Sequence, residues 1–110
     1  MFGLSSNKPA PDQATEDIYR TNDGRAFFRF RFIPEAGGVW RADIQEQPSY
    51  GSRASDLHSS HRLSSGTAGT GYKICYASSP KSLRDAQKFA ETWAEATWVW
   101  IKDGRRVKGF

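Results

Sequence analysis

The stretch Ser79 to Gly104, SPKSLRDAQKFAETWAEATWVWIKDG, decides the fold, because its apolar residues recur at the spacing of an α-helix. At roughly 100° per residue, one stripe carries Leu83, Ala86, Ala90, Trp93, Thr97 and Ile101. The opposite side carries the charged residues Arg84, Lys88, Glu91, Glu95 and Lys102. The segment is therefore predicted to be an amphipathic helix whose apolar stripe covers another layer of the protein.

Both ends of this helix have sequence signals. Ser79 followed by Pro80 is one possible start, and Ser82 with Asp85 three residues later is a possible capping box. Gly104 can adopt the left-handed conformation that ends a helix, close to basic residues that suit the negative pole of the helix dipole. The predicted helix therefore lies between Ser79 and Gly104.

The run Trp98-Val99-Trp100-Ile101 leaves two interpretations open, because four consecutive apolar residues cannot all face one side of a helix. Either the helix continues and its last turn extends past the sheet, or the chain leaves the helix near Thr97. In the second case 98–101 and 105–110 form a hairpin around Asp103-Gly104, a strong turn signal. The continuous helix is the preferred interpretation.

Two segments in the first half alternate in the manner of half-buried strands. From Arg25 to Ile33 one face carries Ala26, Phe28, Phe30 and Phe32, and the other carries Arg25, Phe27, Arg29 and Arg31. After the turn formers of 34–38, the segment from Val39 to Gln47 places Trp40, Ala42 and Ile44 opposite Arg41, Asp43, Gln45 and Gln47. These segments predict an antiparallel hairpin whose aromatic face packs under the helix and whose arginine-rich face is open.

The remaining segments complete the predicted domain. Residues 1–22 are expected to be a flexible tail, 23–104 a single domain and 105–110 a basic tail. The segment 48–71 is rich in serine and glycine and is expected to be a long loop, within which 57–63 is a possible strand. Residues 72–77 are predicted to be a strand. The fold class is α+β, an antiparallel sheet of three or four strands packed on one long C-terminal helix.

Composition limits the classes of function. The chain of 110 residues has a net charge of +4 and an isoelectric point near 9.5, which favours an acidic partner. Its single cysteine, Cys75, cannot form an internal disulfide, and no apolar run reaches the length of a membrane span. A reduced cytoplasmic location without membrane contact is expected, whereas the oligomeric state cannot be derived from the sequence.

Two motifs resemble a known family. They are the strand segment Gly38-Val39-Trp40-Arg41-Ala42-Asp43-Ile44 and the helix opening Ser82-Leu83-Arg84-Asp85-Ala86 that continues to Ala90. With the order of elements over about residues 25–97, this resembles the three-stranded-sheet-plus-helix DNA-binding domains of the AP2 type and of integrase arm-binding domains. The resemblance implies that the open sheet face enters the major groove, with Arg29, Arg31, Arg41 and Lys73 facing DNA.

The residues themselves support the same candidate surface. Arg25, Arg29, Arg31 and Arg41 lie within two adjacent predicted strands, and guanidinium groups bind phosphates and guanine edges in bidentate fashion. The alternative is a solvated sheet face whose charge Asp43 and its polar neighbours partly compensate. The first functional hypothesis is therefore a small nucleic-acid-binding or accessory protein.

The second hypothesis is a protein–protein interaction module, such as a small inhibitor or adaptor. It uses the 48–71 loop and the aromatic end of the helix, with Trp98, Trp100, His58 and His61 as partner-binding residues. The spacing of the two histidines does not predict a metal site, because a strand would point them to opposite faces and further ligands are missing. No nucleophile can be matched to a base and an orienting acid, so neither an enzyme nor a cofactor is predicted.

Overall fold

The computed structural model describes residues 13–66 and 69–107, which form an antiparallel sheet with one long helix across one face. The strands are β1 (Thr15–Arg20), β2 (Phe27–Pro34), β3 (Trp40–Glu46), β4 (Arg62–Ser64) and β5 (Tyr72–Ile74). The helices are a single turn, α1 (Leu57–Ser60), and α2 (Leu83–Asp103). The strand order is β1-β2-β3-β5-β4. The predicted α+β class is confirmed, with a sheet larger than the three or four strands expected.

The additional strand is β1, formed by residues that the sequence reading assigned to the flexible tail. It pairs antiparallel with β2 from Thr15↔Phe32 to Arg20↔Phe27. Tyr19 is buried beneath the helix, and its hydroxyl donates to Glu95, while Gln87 of the helix donates to the Asp17 carboxylate at 2.8 Å. The tail prediction is therefore wrong for 15–20, whereas residues 1–12 lie outside the described part of the chain.

The predicted hairpin is present as β2 and β3, joined by a short 3-10 turn at Ala36–Gly38. Pairing runs from Pro34↔Trp40 to Arg31↔Asp43 and Phe30↔Ile44, with an irregularity in register between Arg29 and Phe30. This irregularity places one extra residue of β3 opposite β2 and locally increases the twist of the pair. The hairpin supplies the central strands of the sheet.

The core lies between these strands and α2. Phe28, Phe30, Phe32, Ala42 and Ile44 have no exposed surface, as the alternation predicted. The Trp93 ring meets Phe28 and Phe30 edge to face, with centroids 5.8 and 6.0 Å apart. Alanines at 86, 90 and 94 are fully buried, since small side chains let the helix axis approach the sheet.

The long helix begins and ends at its sequence signals. Ser82 is the N-cap, its hydroxyl accepting a hydrogen bond from the Asp85 amide at 3.0 Å, so the earlier start at Ser79 is not used. At the other end Gly104 has φ +64° and its amide donates to the Trp100 carbonyl. The helix continues through 98–101, which confirms the continuous-helix interpretation and contradicts the hairpin.

The segment 48–71 is not a plain loop. Residues 57–60 form the turn α1, so the expected strand at 57–63 is wrong there and begins only at Arg62. Side chains of the helix region bind the backbone of this segment. Trp93 Nε1 donates to the Ser60 carbonyl and Trp100 Nε1 to the Ala54 carbonyl, both at 3.0 Å. In the other direction, Arg53 donates to the carbonyls of Ile101 and Lys102 at the end of α2.

Candidate binding surface

The face of the sheet opposite α2, here called the open face, carries a row of paired residues across all five strands. Cross-strand pairing places these residues side by side in the order Glu16, Arg31, Asp43, Lys73 and Leu63. Directly opposed residues on one face lie about 4.5–5.5 Å apart at Cβ, close enough to interact. Charge therefore alternates along the row until it ends at an apolar residue, and the face is not uniformly basic.

Two of the arginines predicted to contact DNA are engaged by carboxylates. Arg29 contacts Glu46 through Nη2 and lies 3.7 Å from Glu16 through Nη1. Arg41 lies 2.9 Å from Asp43 and 3.3 Å from Glu35. The open face therefore holds most of its charge in internal pairs.

Asp43 occupies the centre of this arrangement. Its side chain is only 1% exposed although it points to the open face, because Arg41 covers it and Arg31 and Lys73 flank it in the row. Arg31 is exposed and Lys73 is half-buried, and neither makes an ion pair within the described residues. Of the residues predicted to contact DNA, these two and Arg25 make no direct contact with a carboxylate among the described residues.

The same face exposes large apolar side chains. Ile18 is 55% exposed, Phe27 43% and Leu63 37%. Register places Ile18 opposite Arg29 and Phe27 opposite Arg20, so apolar and charged residues are interleaved near the β1 edge. An amphipathic surface of this kind suits contact with another folded surface or chain.

A cleft of about 250 Å³ opens at one end of the sheet and is here called the Trp98 cleft. It is lined by Arg25, Ala26, Phe27, Glu46, Gln47, Pro48 and Trp98. The Arg25 guanidinium lies 6.0 Å from the centre of the Trp98 ring, a cation–π arrangement. The structure thus unites Arg25, expected to bind nucleic acid, with Trp98, expected to bind a protein.

Asp23, in the turn between β1 and β2, positions this cleft. One carboxylate oxygen accepts from the Thr21 hydroxyl at 2.7 Å and the Arg25 amide at 2.9 Å. The other accepts from Trp98 Nε1 at 2.8 Å and Lys102 Nζ at 3.2 Å. These hydrogen bonds, led by that from Thr21, hold the pKa of the Asp23 carboxyl well below its usual range. The turn and the helix are thereby joined beside the cleft.

The other residues predicted to bind a partner lie elsewhere. Trp100 faces a cavity of about 20 Å³, room for roughly one water, together with His61 and Tyr50. His58 is exposed on α1, and Arg106 lies 4.9 Å from the centre of the Trp100 ring. Trp98 and Trp100 point to different sides because two residues span roughly 200° of a helix. The structure therefore does not bring the four residues into one surface.

Sequence reasoning missed the contribution of β1 to the open face. Glu16, Ile18 and Arg20 share that face, while Asp17 and Tyr19 face the helix. The segment Thr15–Arg20 shows no apolar alternation, because its two apolar residues, Ile18 and Tyr19, are adjacent, and two prolines and many polar residues before it favoured a tail. Among the described residues, no group of three or more His, Cys, Asp or Glu side chains is arranged to hold a metal ion.

The comparisons with known proteins add no identification. No family model matches the chain, and neither the curated proteins nor the solved structures gave a significant match. Within the described residues, no helix has the length and apolar character needed to cross a membrane.

Proposed function

We propose that this chain is a non-enzymatic protein-interaction module that binds a protein partner on the open face, with an apolar anchor in the Trp98 cleft. The carrying observation is that Ile18 and Phe27 are exposed on a sheet face whose arginines 29 and 41 already contact carboxylates. Apolar anchors surrounded by paired charges are the usual anatomy of a protein interface.

Charge at the surface favours a protein over a nucleic-acid backbone. A duplex laid on the open face would bring its phosphates against Glu16, Glu35 and Glu46. It would also have to compete with those carboxylates for Arg29 and Arg41. Phosphate contacts supply most of the affinity of DNA-binding proteins, so a surface with internally paired arginines is a weak duplex binder.

The cleft indicates the chemistry of the anchor. Its lining combines the Trp98 and Phe27 rings and Pro48 with the Arg25 guanidinium, and with Glu46, whose charge is already matched by Arg29. A leucine- or phenylalanine-sized side chain followed by a carboxylate satisfies both the apolar walls and the guanidinium. The net charge of +4 likewise favours an acidic partner. The partner is expected to share the reducing location that the single free cysteine, Cys75, suggests.

Nucleic-acid binding is the second candidate. It is favoured by Arg31 and Lys73, which lack ion-pair partners within 13–66 and 69–107, and by the family resemblance of the hairpin and helix. Because unpaired guanidinium and ammonium groups bind phosphate, these two residues would carry most of the contact on the open face, with Arg25 beside the Trp98 cleft as a further contact.

Site-directed photocrosslinking in the native host tests the first candidate. A benzophenone amino acid at position 27 is expected to form one dominant protein adduct, whereas the same label at Lys88 on the outer side of α2 forms none. Arg25→Glu and Trp98→Leu are expected to abolish the adduct, and Arg84→Glu is expected to leave it intact. An adduct equally strong from position 88, or insensitive to Arg25→Glu, would refute docking at this surface.

A salt titration with a labelled duplex and a labelled single strand separates the candidates. Under the protein-docking proposal, fluorescence anisotropy shows no micromolar binding at 50 mM salt. Micromolar binding that weakens steeply with salt and is lost in Arg31→Glu and Lys73→Glu would instead establish the nucleic-acid function.

A further inference from the structure

The outer edge of the sheet at β1 has a sequence that complements itself. Within the described residues, β1 pairs with β2 on one side and with no strand on the other. It contains neither proline nor glycine and keeps a regular register with β2 over its six residues. Unpaired backbone amides and carbonyls on such an edge are a template for another strand.

Its charges are arranged symmetrically around Ile18. If a second β1 pairs antiparallel with Ile18 opposite its own copy, Glu16 lies opposite Arg20 of the other chain, and Arg20 opposite Glu16. On the other face Asp17 lies opposite Tyr19. Opposite charges directly across a strand pair stabilise it, and here a two-fold axis produces that pairing twice.

We propose that two copies of the chain associate through β1, antiparallel and centred on Ile18, so that their sheets join into one continuous sheet. Ile18 is 55% exposed and would contact its copy at the axis. Arg20 has no ion-pair partner among the described residues. Among the same residues Glu16 lies 3.7 Å from Arg29, whose guanidinium also contacts Glu46. The dimer supplies both groups with a direct partner.

The helix leaves this edge accessible. It packs over β2 and β3, and it reaches the helix-facing side of β1 at Asp17, through Gln87, and at the buried Tyr19, through Glu95. A two-fold axis perpendicular to the sheet places both helices on the same side, one behind each hairpin. The two open faces then form one extended surface.

The association is expected to be weak. Pairing of residues 16–20 forms about four to six backbone hydrogen bonds, and the buried area falls below the roughly 1,200–2,000 Å² of stable interfaces. The dissociation constant is accordingly expected to be micromolar or weaker. This dimer uses the strand edge and not the Trp98 cleft, so it does not require a partner in the cleft, although Ile18 belongs to both the dimer contact and the open face.

Charge-reversal variants, whose dimerisation is measured by sedimentation equilibrium, test the proposal. The wild-type chain is expected to dimerise between about 10 μM and 1 mM. Glu16→Arg and Arg20→Glu, each alone, place like charges across the axis and are expected to weaken dimerisation at least about tenfold. The double variant restores opposite charges in the same register and is expected to recover it. Arg84→Glu, a matched charge change on the outer side of α2, is expected to have no effect.

Chemical crosslinking at Ile18 tests the register of the β1–β1 pairing independently. In a Cys75→Ser background, Ile18→Cys is expected to give a covalent dimer with a short bismaleimide, whereas Lys88→Cys gives none. Circular dichroism checks that each variant is folded. A wild-type chain that stays monomeric at 1 mM, a double exchange that fails to recover association, or the absence of the Ile18→Cys crosslink would each overturn the proposal.

Discussion

The β2–β3 hairpin with its helix and the segment 48–61 are ordered by different forces. In the hairpin, alternating phenylalanines lie with no exposed surface under Trp93. In 48–61 the only described residue that is buried is Ser60, and the segment is attached by hydrogen bonds between side chains and backbone. A segment without apolar periodicity can therefore be positioned by a few hydrogen-bond donors that project from an already folded helix.

The free energy that holds the hairpin core in place should therefore be larger than the free energy that holds the segment 48–61. Burying a large aromatic side chain contributes several kcal/mol, whereas one hydrogen bond contributes about 1 kcal/mol net. We expect changes in the hairpin core to reduce the stability of the whole domain. Changes to the attachments should first release the segment locally, since regions with few buried contacts open at lower free energy.

The largest effect is expected from Phe30→Ala. The Phe30 ring has no exposed surface and lies 6.0 Å from the centres of both Phe32 and Trp93. Its removal is expected to lower the free energy of unfolding by about 3–5 kcal/mol, measured by urea denaturation with tryptophan fluorescence. Phe27→Ala, on the open face, is the control and should cost less than about 1 kcal/mol. Similar losses in the two variants would contradict the assignment of faces.

An intermediate effect is expected from Gly104→Ala, at the attachment. With φ +64°, a side chain here is strained, and its Cβ would lie 2.6 Å from Arg53 Nη1. Gly51→Ala is the matched control, because Gly51 has φ +59° but nothing within 4 Å of the added Cβ. We expect losses of about 1 kcal/mol for Gly51→Ala and about 2 kcal/mol for Gly104→Ala.

Amide hydrogen exchange distinguishes local release of 48–61 from a general loss of stability in the two glycine variants. In Gly104→Ala the amides of 48–61 are expected to exchange faster than those of β2, since displacement of Arg53 removes its bonds to Ile101 and Lys102. Equal stability losses in the two glycine variants, with unchanged exchange in 48–61, would show that Arg53 does not fasten the segment.

The smallest effect is expected from Asp23→Asn, and it should depend on pH. The pKa of Asp23 is lowered in the folded state, so its carboxylate stabilises the fold above the unfolded pKa of about 3.9. That contribution is lost as the pH falls through the folded pKa. Thermal unfolding should therefore show a midpoint a few degrees below wild type at pH 7 and a shrinking difference below about pH 4.

Asp103→Asn, at the exposed end of α2, is the control for the loss of one negative charge. Its difference from wild type should not follow the Asp23 profile. A difference for Asp23→Asn that is constant down to pH 2.5 would mean that the hydrogen bonds from Trp98 and Lys102 do not depend on the charge of the carboxylate.

The strands and the helix with the clearest periodicity in the sequence were predicted most accurately. Alternation in the two central strands and the helical stripe in 83–103 were read correctly, as were the Ser82 cap and the Gly104 end. Strand β1 was missed because its Glu16-Asp17 pair and the polar sequence before it resemble a tail. The turn α1 was missed because four residues are too few for helical periodicity to be recognised.

The candidate surface was predicted less well than the fold. Arg29, Arg31, Arg41 and Lys73 were expected to belong to one basic face. The register of β2 with β3 and with β1 placed Glu46 and Glu16 beside Arg29, whereas Arg41 meets Asp43 of its own strand and Glu35 of the preceding turn. Trp98 and Arg25 were assigned to different hypotheses, and helix packing placed them in one cleft. Glu16 and Glu46 are distant from Arg29 in sequence or separated by a turn, so the partners of Arg29 could not be predicted along the chain, whereas compensation by Asp43 was anticipated.

Periodicity along the chain was sufficient to predict the layers of this protein, because it indicates which side of each strand and helix is buried. The charge and shape of the open face followed only from the fold, since these depend on which strands become neighbours and in what register. Local patterns are set by bonds along the chain, whereas a binding surface is set by contacts between residues that the chain order keeps apart.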